Sequence, residues 1–73
     1  MQIHDSLRAF GKHLRELREQ RGLSQEKLAE LADLHRNYTG LVERGAANPT
    51  LLTIVALARA LKVRPHKLLE KLR

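Results

Sequence analysis

At 73 residues without a single cysteine, the chain has room for one small hydrophobic core (residues 1–73 as one domain) and none for a disulfide framework or a thiolate metal site. Lys and Arg number 14 against 8 Asp and Glu, a formal charge of +6. No apolar run approaches the roughly 18 residues that span a bilayer, and Met1 to Ser6 lacks the basic-then-apolar layout of a signal peptide, so a soluble, cytoplasmic protein with no membrane partner is expected.

In chain order, Leu7, Phe10, Leu14 and Leu17 recur at helical spacing. They predict a first amphipathic helix over about 6–21, capped by Asp5 or Ser6 and stopped by Gly22. Ser24 is a suitable N-cap for a second helix over 25–32, whose apolar side is Leu28, Ala29, Leu31 and Ala32. A tight turn through Asp33 leads to a third helix over 36–43, ended by Gly45. Asn48-Pro49-Thr50 signals a loop and a cap, followed by a fourth helix over 51–61. Pro65, at a first helical position, opens a fifth over 65–72. No alternating pattern of strand length appears, and the expected fold class is all-α with five helices.

Charge is uneven along this order. Residues 36–73 hold Arg36, Arg44, Arg59, Lys62, Arg64, Lys67, Lys71 and Arg73 against only Glu43 and Glu70, so the excess positive charge lies in the second half. Such an asymmetry suits a polyanionic partner, whose counterions are released by Lys and Arg, and it equally suits an ordinary solvated surface.

The stretch Leu23-Ser24-Gln25-Glu26-Lys27-Leu28-Ala29-Glu30-Leu31-Ala32 followed by Asp33-Leu34-His35-Arg36-Asn37-Tyr38-Thr39-Gly40-Leu41-Val42-Glu43-Arg44-Gly45 resembles the helix-turn-helix of the Xre, lambda-repressor-like family. Ala29 is the small residue that two closely crossing helices need, and Leu28, Leu34 and Val42 are the apolar contacts. Asp33 stands where the family has Gly, and Asp tolerates a positive φ better than most residues. Thr39 replaces a core Val or Ile, and its hydroxyl is expected to bond a carbonyl one turn back. His35 replaces the usual Ser, Thr or Asp cap.

The resemblance implies a double-stranded DNA partner, with the third helix in the major groove. Arg36, Asn37 and Tyr38 become the base-reading residues, Arg suiting guanine and Asn adenine. Gln25 becomes a phosphate contact at the start of the second helix, with Arg44, Lys12 and Arg8 as further phosphate candidates, and Arg18 with Glu43 an ion pair of the scaffold. For each, a solvated or packed surface role is the alternative.

One such helix reads too few base pairs to select an operator, which favours a homodimer on a palindrome. The fourth helix points the same way: Leu51, Ile54, Val55, Leu57, Ala58 and Leu61 are assigned to the core, which leaves Leu52, Ala56 and Ala60 apolar on other sides. Leu52 and Ala56, with Val63 and the fifth helix, are the expected dimer interface.

His4, His13, His35 and His66 have no metal-ligand spacing and are expected at surfaces or caps; no glycine-rich phosphate loop or paired carboxylate stands out. No metal, no cofactor and no enzymatic activity are expected. The leading expectation is a transcription regulator or repressor. Through the His-Arg-Asn-Tyr start of the third helix it resembles the controller proteins of restriction-modification systems, which typically have Asp where His35 stands. Glu26, Glu30 and Asp33 are the candidates for an RNA polymerase contact. The alternative is a protein-interaction module such as an antitoxin, although antitoxins often carry an extra toxin-embracing segment and residues 1–73 are taken up by the five helices.

Overall fold

The computed structural model describes residues 3–72; Met1, Gln2 and Arg73, the last counted above in the basic half, lie outside them. Among the described residues the chain is all-helical: α1 (Ile3–Gln20), α2 (Gln25–Leu31), α3 (Tyr38–Glu43), α4 (Leu51–Leu61) and α5 (Pro65–Leu69). α1 packs on α3 and α5, α2 packs on α3 and α4, and α4 packs on α5. Phe10, Leu14, Leu17, Leu28, Ala32, Val42, Leu57, Ala58, Leu61 and Leu68 form one buried cluster at the meeting of all five.

Four helices end in the same way. One or two residues past the helix the chain turns left-handed, at Gly22 (φ +69), Asp33 (φ +57), Gly45 (φ +73) and Lys62 (φ +60). In each case the next amide reaches back to a carbonyl five residues earlier: Leu23 to Arg18 at 3.2 Å, Leu34 to Ala29 at 2.8 Å, Ala46 to Leu41 at 2.9 Å and Val63 to Ala58 at 3.0 Å. These are Schellman closures, which satisfy carbonyls that the helix end would otherwise strand. Starts are capped by Ser24, whose Oγ accepts from the Lys27 amide at 2.9 Å, and by Thr50, whose Oγ1 accepts from the Thr53 amide at 3.2 Å.

Several boundaries differ from the sequence expectation. α1 begins at Ile3, so Asp5 lies inside its first turn, where it pairs with Arg8, instead of capping the helix. α3 begins at Tyr38 rather than at 36. His35 offers no hydroxyl or carboxylate to hold a full α-turn open; its carbonyl accepts from Tyr38 at 2.9 Å and its Nδ1 from Asn37 at 3.2 Å, which winds Arg36 and Asn37 into a tighter turn. α5 ends at Leu69, and a turn carries the chain on, with the Leu72 amide bonded to the Leu69 carbonyl at 3.1 Å.

Four expectations about packing are corrected. Leu31, assigned to the apolar side of α2, is 50% exposed. Leu51, assigned to the core, is 70% exposed; as the first residue of α4 its side chain leans toward the helix N-terminus and past the core layer. Thr39 is fully buried, but its hydroxyl has no partner. The expected back-bond to a carbonyl one turn earlier is not made. His13 is buried rather than at a surface or cap, with its Nε2 2.7 Å from the Lys67 carbonyl, which fastens α1 to α5.

Candidate nucleic-acid interface

The unit that resembles a reader of DNA is held from behind by one carboxylate. Arg18 on α1 donates through Nε to Glu43 Oε2 at 2.6 Å and through Nη2 to Oε1 at 3.2 Å, while its Nη1 donates to the Leu23 carbonyl at 2.7 Å. The side chains are 11% and 3% exposed, and the bond to Glu43 holds the Arg18 guanidinium above its usual pKa. Glu43 Oε1 also accepts from Gln25 Nε2 at 3.0 Å. Glu43 at the end of α3 therefore ties α1 to the first residue of α2, and Arg18 ties α1 to the turn before α2.

Close approach of α1 to α3 requires two glycines. A Cβ on Gly11 would stand 2.5 Å from the Glu43 carbonyl oxygen and nearer still to that of Val42, and one on Gly45 would stand 2.8 Å from Arg8 Cγ. With the helix backbones this near, the bidentate Arg18–Glu43 pair can form directly across the crossing.

The outward face of α3 is polar with one apolar residue. Asn37, Leu41 and Arg44 recur at helical spacing and are exposed, and Arg36 is exposed in the turn ahead of them. Tyr38 is half-buried and packs against the core, so its ring is partly committed to the scaffold. Gln25 and Arg44 converge over Gly40: a Cβ there would meet Arg44 Nη1 at 3.1 Å and Gln25 Oε1 at 3.2 Å. Of the two amide protons on Gln25 Nε2, Glu43 takes one, which leaves the other for an acceptor outside the protein.

The remaining sequence candidates are dispersed. Arg8 pairs with Asp5, and its stem lies against Gly45 at the end of α3. Lys12 lines a groove with Ala9, His13, Glu16 and Lys71, a set that contains no residue of α2 or α3. Leu52 is 79% exposed, whereas Ala56 and Val63 are half-buried and pack against the monomer's own core. Leu69 is 37% exposed, and Leu7, Phe10, Pro49, Ile54, Leu69 and Leu72 line a shallow apolar groove of about 220 Å³. Glu26, Glu30 and Asp33 are exposed, Glu30 accepting from Lys27 Nζ at 3.0 Å.

Sequence reasoning missed Leu41 on the outer face and Gln25 as the second partner of Glu43. Leu41 falls off the helical side shared by Thr39 and Val42, and that spacing was the available signal. The Gln25–Glu43 bond joins residues 18 positions apart and has no local signature.

No helix among the described residues is long and apolar enough to cross a membrane. The control protein C.SmaI of Serratia marcescens is 45% identical over 62 residues, covering 85% of this chain and 74% of the relative. The control protein C.BamHI of Bacillus amyloliquefaciens is 44% identical over 62 residues, covering 84% and 76%. The crystal structure of the restriction-modification controller protein C.AhdI from Aeromonas hydrophila superposes with a TM-score of 0.86 at 52% identity, covering 88% of this chain and 97% of that one. Residues 14–68 match the family model HTH_3, helix-turn-helix, and the chain belongs to that family.

Proposed function

We propose that this chain is a DNA-binding transcription regulator of restriction-modification genes, which acts as a homodimer on a palindromic operator. The observation that carries the reading is the exposed face of the α2–α3 unit, Arg36, Asn37, Leu41 and Arg44, held at a fixed angle by the Arg18–Glu43–Gln25 brace. The similarity to the restriction-modification controller protein C.AhdI suggests the class of genes.

In this reading α3 enters the major groove. Arg36 addresses guanine and Asn37 adenine, the exposed edge of Tyr38 adds a contact beside them, and Leu41 meets a thymine methyl. Gln25 and Arg44 grip phosphates and set the register, with Arg8 as an outer cation. Lys12 contributes only to the general positive field. The chain performs no catalysis in this role and uses no cofactor. Two copies associate through Leu52 and its surroundings, which places two recognition helices on successive major-groove faces. Glu26, Glu30 and Asp33, exposed beside the reading unit, are the surface for a polymerase contact during activation.

Selection of bound duplexes from a random library, with salt-dependent affinities for wild type and Arg36→Ala, tests the reading. Palindromes with half-sites about one helical turn apart, whose preference Arg36→Ala relaxes at one position, are expected. Weak binding that ignores sequence would overturn it and leave the protein-interaction reading.

A further inference from the structure

We infer that Gly40 is a positioning residue for the two phosphate contacts: the missing side chain on α3 is the seat in which Gln25 and Arg44 meet. This deepens the reading above and rests on Gln25 and Arg44 gripping the DNA backbone.

Nothing in the backbone calls for glycine at this point. Gly40 lies in the middle of a six-residue helix and is absent from the positive-φ positions. Glycine inside a helix is unfavourable against alanine, so a different demand must hold it there. The core makes none, because the atoms nearest the site of its absent Cβ are Arg44 Nη1 at 3.1 Å, Gln25 Oε1 at 3.2 Å and Gln25 Cδ at 3.6 Å. Both are the polar heads of otherwise exposed side chains.

One of these heads has little room to withdraw. Gln25 is tied through Nε2 to Glu43, which the buried Arg18 guanidinium clamps in turn. Arg44 folds back one helical turn to reach the same patch. Gly40 is buried, and its bare face is turned to these two side chains. Long polar side chains normally lose rotamer freedom when they engage a partner, and seating them in advance lowers that cost. A methyl group at residue 40 displaces one head or both from the geometry in which a guanidinium and an amide proton address a phosphate together.

Opposite effects on folding and binding therefore follow from Gly40→Ala. Chemical denaturation is expected to give a midpoint equal to or above wild type, while affinity for the best duplex from the selection falls on the order of threefold to tenfold, the scale of one hydrogen bond weakened. In a Gln25→Ala/Arg44→Ala background the same substitution is expected to change affinity no further. A lowered midpoint, unchanged affinity, or an undiminished loss in that background each overturns the inference. Gln25→Ala and Arg44→Ala measured singly separate the two layers. If neither weakens binding, the phosphate reading falls and this inference with it; if both do and Gly40→Ala does not, the inference alone falls.

Discussion

Arg18 and Glu43, 25 positions apart, form a bidentate pair with Nε–Oε2 at 2.6 Å, and the same guanidinium donates to the Leu23 carbonyl at 2.7 Å. Residues from α1, from the turn before α2 and from the end of α3 are thereby joined through two side chains that the fold removes from water. Removing one partner leaves the other charge buried and uncompensated, which costs about 3–5 kcal/mol. Glu43→Leu is therefore expected to lower the urea midpoint severely, and Arg18→Met/Glu43→Leu to recover part of the loss. A double variant no more stable than Glu43→Leu would show that the pair's geometry, and not relief of a stranded charge, governs stability here.

Gly11→Ala tests the crossing of α1 over α3. By helix propensity alone the change would stabilise by about 1 kcal/mol. The new Cβ, however, would stand 2.5 Å from the Glu43 carbonyl oxygen, a backbone atom that cannot step aside as a flexible side chain does. Overpacking of this kind costs typically 1–3 kcal/mol, and the expected thermal midpoint falls. A midpoint at or above wild type would mean that the helices separate without strain.

Thr39→Val removes a buried hydroxyl that has no partner. An unsatisfied buried polar group costs about 1–3 kcal/mol, and valine has nearly the same shape, so a gain of about 1–2 kcal/mol is expected from denaturant titration. No gain would imply that the hydroxyl is bonded in solution.

How much of this was legible in the sequence depended on whether the physics was local. Gly22, Gly45 and Asp33 announce left-handed helix ends because their residue types tolerate positive φ, and the residues of α2 and α4 repeat at helical spacing between recognisable caps. Lys62 gives no such signal, although its backbone does the same thing. The start of α3 was misplaced because His35 caps through a ring nitrogen and a tight turn, a pattern without a standard signature. His13, expected at a surface or cap, occupies the apolar stripe between Phe10 and Leu17 and is buried. What crowds Gly11 and Gly40 comes in part from other elements, from α3 onto Gly11 and from α2 onto Gly40, and has no local signature. On the outer face, Arg36 and Asn37 were legible as residue types suited to bases. Their arrangement beside Leu41 and Arg44 required the fold.

Lys62 holds φ at +60, a conformation that glycine adopts without a Cβ penalty. The penalty for a side chain there is roughly 1–2 kcal/mol, offset in part by the larger chain entropy of unfolded glycine. Lys62→Gly is expected to stabilise by about 0.5–1 kcal/mol, a rise of several degrees in melting temperature for a domain of this size. A fall would show that the lysine side chain contributes more than its backbone strain costs.

The monomer leaves large aliphatic side chains uncovered. Leu51 and Leu52, at 70% and 79% exposure, begin α4 side by side, and Leu69 stands 37% exposed on the rim of the apolar groove that Pro49 and Ile54 also line. Two large aliphatic side chains held in water at the start of a helix gain roughly 1.5–3 kcal/mol each when fully covered, and a two-fold contact would cover the pair on both copies at once. Ala56 and Val63 are turned largely toward their own core, so the contact is expected to centre on Leu51 and Leu52 and to reach the groove. Leu52→Glu places a charge at that centre. Sedimentation at micromolar concentration is expected to change from dimer to monomer, with operator affinity falling far more than affinity for an isolated half-site, while Ala56→Ser leaves the dimer intact. A Leu52→Glu protein that remains dimeric moves the interface elsewhere, and a wild type that is monomeric both alone and on the operator removes the palindrome from the proposed function.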